Sequence, residues 1–238
     1  MILIDVLDVH THTLASGHAY NTMNEMIAAA KSKGLKLFGI ADHAPNMPGS
    51  CHYFHFLNLK SVDRKAYGID LVLGVELNII DYCGAIDLSE KILRTLDFAI
   101  ASLHNPCISP GSIEENTSAI LGAIENPYIN IIGHPDNPHY PVDFDRIARA
   151  AAEHNVLLEL NNQSHYDKGP RQGSRELAAN MLAACKRYGT HVIMGSDAHV
   201  DTEVGNHCYS HEVLEQNAFP EELVVNVAPQ RFYEFIRR

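Results

Sequence analysis

Leu3-Ile-Asp-Val-Leu-Asp-Val-His-Thr-His12 decides the fold. Its body is apolar and β-branched, the make-up of a buried strand, and it ends in H-x-H. Residues i and i+2 of a strand point to the same side, so His10 and His12 could grip one ion. Similar apolar runs recur at Leu35–Ala41, Leu71–Val75, Phe98–Leu103, Ile129–Ile132, Val156–Leu160 and His191–Met194, with a further candidate strand at Leu223–Val227. Helical patterns lie between them. Thr22-Met-Asn-Glu25 is a capping box, followed by an apolar face of Met23, Met26, Ile27 and Ala30 and stopped by Gly34. Further helices are expected near Glu115–Glu125, Asp143–His154, Ser174–Tyr188 and Ser210–Asn217, and a short one near Pro229–Arg237.

Alternating strands and helices predict a parallel sheet, and near-continuous apolar strands predict cover on both faces. A closed α/β barrel and an open doubly wound sheet both fit. No G-x-G-x-x-G follows the first strand and no G-x-x-x-x-G-K-[ST] occurs, which weakens the nucleotide-cradling versions. No Pro/Gly/Ser-rich linker divides the 238 residues, so the chain reads as one α/β domain, 1–238.

Composition narrows the function. A hydrophobic share of 46% with 20% charged residues suits a globular core and not a disordered chain. The net charge of -11 disfavours a nucleic-acid surface built on bulk charge. The five cysteines are odd in number and form no C-x-x-C, which excludes a disulfide framework and a zinc ribbon. They read as reduced thiols of a cytoplasmic protein. Met1-Ile-Leu-Ile-Asp5 has no basic stretch before its apolar residues, so it reads as a strand and not a secretory signal. No apolar run is long enough to span a bilayer. The 15 histidines spread from His10 to His211 point to metal binding.

Their positions sharpen that reading. His10, His12, His18, His43, Glu76, His104, His134, Asp197 and His199 fall at or just beyond the C-terminal ends of predicted strands. In a parallel barrel those ends share one face, where active sites are built. Carboxylates among imidazoles suit Zn, Mn or Fe(II). Nine donors exceed one tetrahedral ion and suit two or three ions sharing a bridging carboxylate. His154 and His191 read as ordinary element residues, and Cys51–Phe56 as a surface or lid loop. His165, His207 and His211 receive no role. Asp42 is the expected orienting partner of His43, with Asp8 a weaker candidate beside His10. Asn161 and Asn162 either orient substrate or cap the strand end.

The stretches Asp8-Val-His-Thr-His12, Ile40-Ala-Asp-His43, Gly74-Val-Glu76, Gly133-His-Pro135 and Gly195-Ser-Asp-Ala-His199 resemble the PHP (polymerase and histidinol phosphatase) family. Ser16-Gly-His-Ala-Tyr20, Ala101-Ser-Leu-His104 and Leu158-Glu-Leu-Asn-Asn162 are similar to its small stand-alone bacterial phosphatases of the YcdX type. The resemblance implies a distorted seven-stranded TIM-like (β/α) barrel with three divalent ions, Zn, Mn or Fe. By this analogy His10, His12, Glu76 and Asp197 hold one ion. Glu76 bridges to a second ion with His104 and His134, and His18, His43 and His199 hold the third. A metal-bound hydroxide, bridged by Glu76 and Asp197, would attack the phosphorus. No polymerase-like extension is expected.

The implied activity is hydrolysis of a small phosphate monoester, releasing inorganic phosphate, with no membrane and no nucleic-acid partner. Arg171, in Lys168-Gly-Pro-Arg-Gln-Gly-Ser174, is the candidate phosphate-binding side chain. A histidinol-phosphate phosphatase and a nucleotide phosphatase or exonuclease share the ligand set. An amidohydrolase also opens with H-x-H, but typically closes on a single Asp. A metal-storing module is the non-enzyme reading. The sequence leaves the substrate, the metal and any homo-oligomer open.

Overall fold

Thr22 starts the first helix as its capping box predicts. Its hydroxyl accepts from Glu25 N at 3.4 Å, and Glu25 Oε2 accepts from Thr22 N at 2.7 Å. Ser112 and Glu115 repeat the arrangement ahead of another helix. Each box satisfies backbone donors that a helix start leaves unpaired. The computed structural model describes residues 4–166, 168–169 and 171–236. Leu3, Pro170 and Arg237, which fall within the predicted segments, lie outside them.

The helices are α1 (Met23–Ser32), α2 (Phe54–Asn58), α3 (Glu90–Leu93), α4 (Ile113–Ile124), α5 (Phe144–His154), α6 (Ser174–Tyr188), α7 (Cys208–Gln216) and α8 (Pro229–Ile236). The short helix α2 occupies part of the expected surface loop, and α3 was not foreseen. The strands are β1 (Leu7–Asp8), β2 (Leu37–Ile40), β3 (Asp70–Leu73), β4 (Glu76–Asn78), β5 (Ile100–Ser102), β6 (Ile131–Ile132), β7 (Leu157–Asn161) and β8 (Val192–Gly195). All pairings between them are parallel, in two sheets ordered β1-β2-β3 and β4-β5-β6-β7-β8.

Two expectations are corrected here. The strand count among the described residues is eight, not seven, because β4 forms directly beyond the third predicted strand, after a break at Gly74 and Val75. Before the break β3 pairs with β2; after it β4 pairs with β5. A Cβ on Gly74 would lie 2.6 Å from the Phe98 carbonyl and ring, so only glycine permits that approach. The continuous seven-stranded barrel is therefore not what strand pairing shows. The two sheets touch at isolated parallel bridges, His43 with Glu76 and Thr11 with Ala198. The candidate strand at Leu223–Val227 is also absent. It forms two 3-10 turns, with one bridge from Val224 to Val192.

The strands are buried on both faces, as their apolar runs require. Neighbouring residues alternate between two clusters. Leu7, Leu37, Val72, Ile100, Leu157 and Ile193 of both sheets face one inner cluster. Phe38, Leu71, Leu73, Ile132 and Leu158 face the helices. Phe232 of α8 sits in the inner cluster, its ring 5.8 Å from Phe98 in an edge-on contact. The inner core supports the strand ends that carry the histidines.

Candidate metal centre

His10 and His12 lie just beyond the C-terminal end of β1, after Leu7 and Val9, which join the inner cluster. The strand-end segments meet across the two sheets: His12 N donates to Ala198 O at 2.9 Å, and Tyr20 N donates to His199 O at 2.9 Å. Glu76 N donates to Asp42 O at 3.0 Å, and Ala44 N to Glu76 O at 2.8 Å. These bonds set the register that gathers the candidate ligands.

Glu76 is at the centre and fully buried. Its Oε1 lies 3.2 Å from Nε2 of both His104 and His134, and 3.4 Å from Nε2 of His10. Its Oε2 lies 2.7 Å from His43 Nδ1 and 3.6 Å from His12 Nε2. Asp197 Oδ1 lies 3.2 Å from His12 Nε2, 3.7 Å from His10 Nε2 and 3.6 Å from His199 Nδ1. His18 is exposed and lies flat between His43 and His199, with ring centroids at 4.9 and 4.8 Å. All nine expected residues thus join one connected cluster.

Three donor groups within it are tight enough for an ion: His10, His12 and Glu76; His43, Glu76 and His104; and His12, His43 and His199. Each shares a residue with the others. This grouping cuts across the partition given above, which put His43 with His18 and kept His12 apart from His199. His10 Nε2, His12 Nε2, His43 Nδ1 and Glu76 Oε2 are buried and make no aligned hydrogen bond, the close approach of His43 to Glu76 included. An unpaired buried polar atom costs about 1–3 kcal/mol, so several aimed at one spot indicate a missing partner. A divalent cation fits: every orphan is a nitrogen or carboxylate oxygen, the donor type such ions take.

Hydrogen bonds at the far ring nitrogens fix which atom points inward. His10 Nδ1 bonds Glu159 Oε1 at 2.6 Å, His12 Nδ1 bonds Ser16 Oγ at 3.1 Å, and His104 Nδ1 bonds Asn78 Oδ1 at 2.8 Å. His199 Nδ1 bonds the Asp197 carbonyl at 2.9 Å. Each partner is an acceptor here, so Nδ1 donates and Nε2 faces the cluster. Ser16 Oγ gives its own proton to Asp42 Oδ1 at 2.7 Å. Asp42 therefore acts on His12 through Ser16 and not directly on His43, a correction to the expected pairing. Asp8 does not reach His10. It accepts from Ser196 Oγ at 2.5 Å and Gly205 N at 2.8 Å, fixing the backbone beside Asp197.

Charge follows the same geometry. Burial alone would raise Glu76, but His10, His104 and His43 hold it well below the usual carboxylate range. Asp197 is likewise held well below it: burial opposes ionisation, and His10 and His12 outweigh that. Burial, reinforced by His43, pushes His12 down to about 3, and burial takes His104 to about 4. These shifts favour the deprotonated forms of Glu76, Asp197, His12 and His104, as a metal requires. His10 is the exception. Burial lowers it, yet Glu159, Glu76 and Asp197 hold it well above the ordinary histidine value, so an ion bound at its Nε2 must displace a proton.

Two ligand candidates sit on strained backbone. His134 has φ 33 and Asp197 φ 53, both in the left-handed region, at a cost of about 1–3 kcal/mol each. The residue that sequence reasoning missed is Glu159, buried below both. The signal was present: Glu159 shares the inner face of β7 with Leu157 and Asn161, a lone carboxylate on an apolar strand. Asn161 donates to Asp197 Oδ2 at 3.1 Å, whereas Asn162 accepts from Tyr209 N and Ser210 N and caps α7. Arg171 Nη1 lies 3.0 Å from Ser164 Oγ and 3.5 Å from Asp197 Oδ2, at the edge of the cluster. Elsewhere, His165 pairs with Asp136 at 2.7 Å, while His207 and His211 pair with Asp5. All five cysteines are unpaired. No described helix is long and apolar enough to cross a membrane.

Residues 8–166 match the PHP domain family. A probable phosphatase of Caldicellulosiruptor saccharolyticus is 49% identical over 231 residues, covering 97% of this chain and 95% of the relative. A probable phosphatase of Acetivibrio thermocellus is 43% identical over 233 residues, covering 98% and 95%. Among solved structures, histidinol phosphate phosphatase from Lactococcus lactis, complexed with zinc, L-histidinol and phosphate, aligns with a TM-score of 0.62. It shares 20% identity, and the alignment covers 91% of this chain and 95% of that one. At that identity the likeness concerns the fold.

Proposed function

The chain belongs to the PHP domain family, and on that premise we propose that it is a metal-dependent phosphatase hydrolysing a small phosphate monoester. The observation that carries this is the set of buried, unpartnered donor atoms on His10, His12, His43 and Glu76. His10, His12, His18, His43, Glu76, His104, His134, Asp197 and His199 would hold up to three ions of Zn, Mn or Fe, with Glu76 bridging. The shared inner cluster and the two bridges between the sheets support a distorted barrel formed by a single domain, 1–238. Free thiols suit a reducing, cytoplasmic setting.

Divalent ions bound there supply Lewis acidity and bring the pKa of water toward neutrality. The chain's own residues do the rest. Glu76 and Asp197 place negative charge between the imidazoles, and the groups accepting from Nδ1 keep the rings of His10, His12, His104 and His199 turned inward. Arg171 stands beside Asp197, where its guanidinium can take a phosphate oxygen. Among the loops that follow β1, β2, β4, β5, β6, β7 and β8, only 162–173 contains Lys or Arg, namely Lys168 and Arg171. That suits one phosphate and argues against a nucleic-acid backbone, which needs many cationic contacts.

Elemental analysis of protein purified without chelator tests the reading, followed by a phosphate-monoester panel with the metal found. Two to three equivalents per chain and phosphate release are expected, both lost in Asp197→Ala. Less than half an equivalent, unrestored by added metal, would overturn it.

A further inference from the structure

We infer that Glu159 is the positioning residue that holds three strand ends in ligand geometry, an inference that rests on the metal-site reading. One oxygen takes the His10 Nδ1 proton at 2.6 Å. The other accepts from the backbone N of His134 at 2.8 Å and from Asn161 Nδ2 at 3.2 Å. Asn161 passes the constraint on to Asp197. One buried carboxylate thus binds His10 beyond β1 and His134 beyond β6 directly, and reaches Asp197 beyond β8 through Asn161. The His134 contact also secures a backbone at φ 33, which a non-glycine residue leaves unless it is held there.

Gly195 supplies independent support. A Cβ there would overlap Glu159 Oε1 and lie 2.9 Å from His10 Cβ. The strand is therefore cut back to hydrogen where the carboxylate must pass. Both oxygens accept, and an amide in place of the carboxylate offers only one acceptor. Glu159→Gln would point an NH2 at an N–H group on one side, either His10 or His134.

The test is release of zinc from zinc-loaded protein to a chromophoric chelator, with thermal unfolding in parallel. Glu159→Gln should release at least one zinc about 10- to 100-fold faster, the range for lost partners of metal-bound histidines. The KM for a phosphate ester should stay unchanged while kcat falls. Gly195→Ala, which leaves the carboxylate chemically intact but displaces it, should also release zinc faster. A folded Glu159→Gln variant releasing zinc within twofold of the parent would overturn the inference. So would loss confined to melting temperature. If the parent binds no zinc, Mn or Fe, the metal-site reading fails instead, and the two failures are separable.

Discussion

His207 should make the protein's stability fall as pH rises from about 6.5 to 9. Its ring is buried, with Nδ1 paired to Asp5 and Nε2 3.6 Å from Asp8 Oδ1. Burial by itself would lower its pKa. The hydrogen bond to Asp5 and the charges of Asp5 and Asp8 overcome that and raise it to about 9, from 6.5. A pKa raised on folding contributes stability that is complete below the unfolded value and is lost as pH climbs through the folded one. A shift of roughly 2.5 units corresponds to about 3 kcal/mol at 1.36 kcal/mol per unit. The carboxylates set the acid limit: Asp5 and Asp8 are held below their usual 3.8, so their share persists down to about pH 4 and fades below. In His207→Gln the stability deficit should therefore be about 3 kcal/mol at pH 6 and nearly gone by pH 10. For a chain of this size that is a melting difference of about 6–12 °C. Urea unfolding of parent and variant at both pH values, each saturated with the same metal, measures it, and metal linkage cancels in the difference. An equal deficit at both pH values would show that the ring acts by packing alone.

Arg171→Ala should raise KM for a phosphate ester about 10- to 100-fold, the loss of a charge-assisted hydrogen bond of about 1.5–3 kcal/mol, while metal content stays constant; unchanged kinetics would return Arg171 to a structural role. Ser16→Ala breaks the chain from Asp42 to His12 and should weaken metal affinity about tenfold or more, read by competition with a chelator. Phe232→Ala should cost about 3–5 kcal/mol in urea unfolding, because the ring fills the inner cluster against Phe98, with kcat at 25 °C retained; a cost below 1 kcal/mol would show that the cavity collapses freely.

The sequence by itself determined the periodic skeleton and the identity of the donors. Helix boundaries near Thr22 and Asp143 were legible because caps act within a few residues. The candidate ligands were legible because alternation and strand ends are local properties, and parallel strands place their ends on one face. What the sequence left open depends on pairing across the chain. At Gly74 the chain passes close to Phe98, far on in sequence, and the pairing changes from β2 to β5. Leu223–Val227 has a strand's composition but finds a partner for only one residue. The role of Asp42 turned on Ser16, and Glu159 met His10 from a strand 149 residues away. Such contacts follow from the register and stagger of the sheets, which a one-residue slip would reverse. Local chemistry therefore fixed which atoms could bind an ion, and only the tertiary structure decided which groups hold those atoms in place.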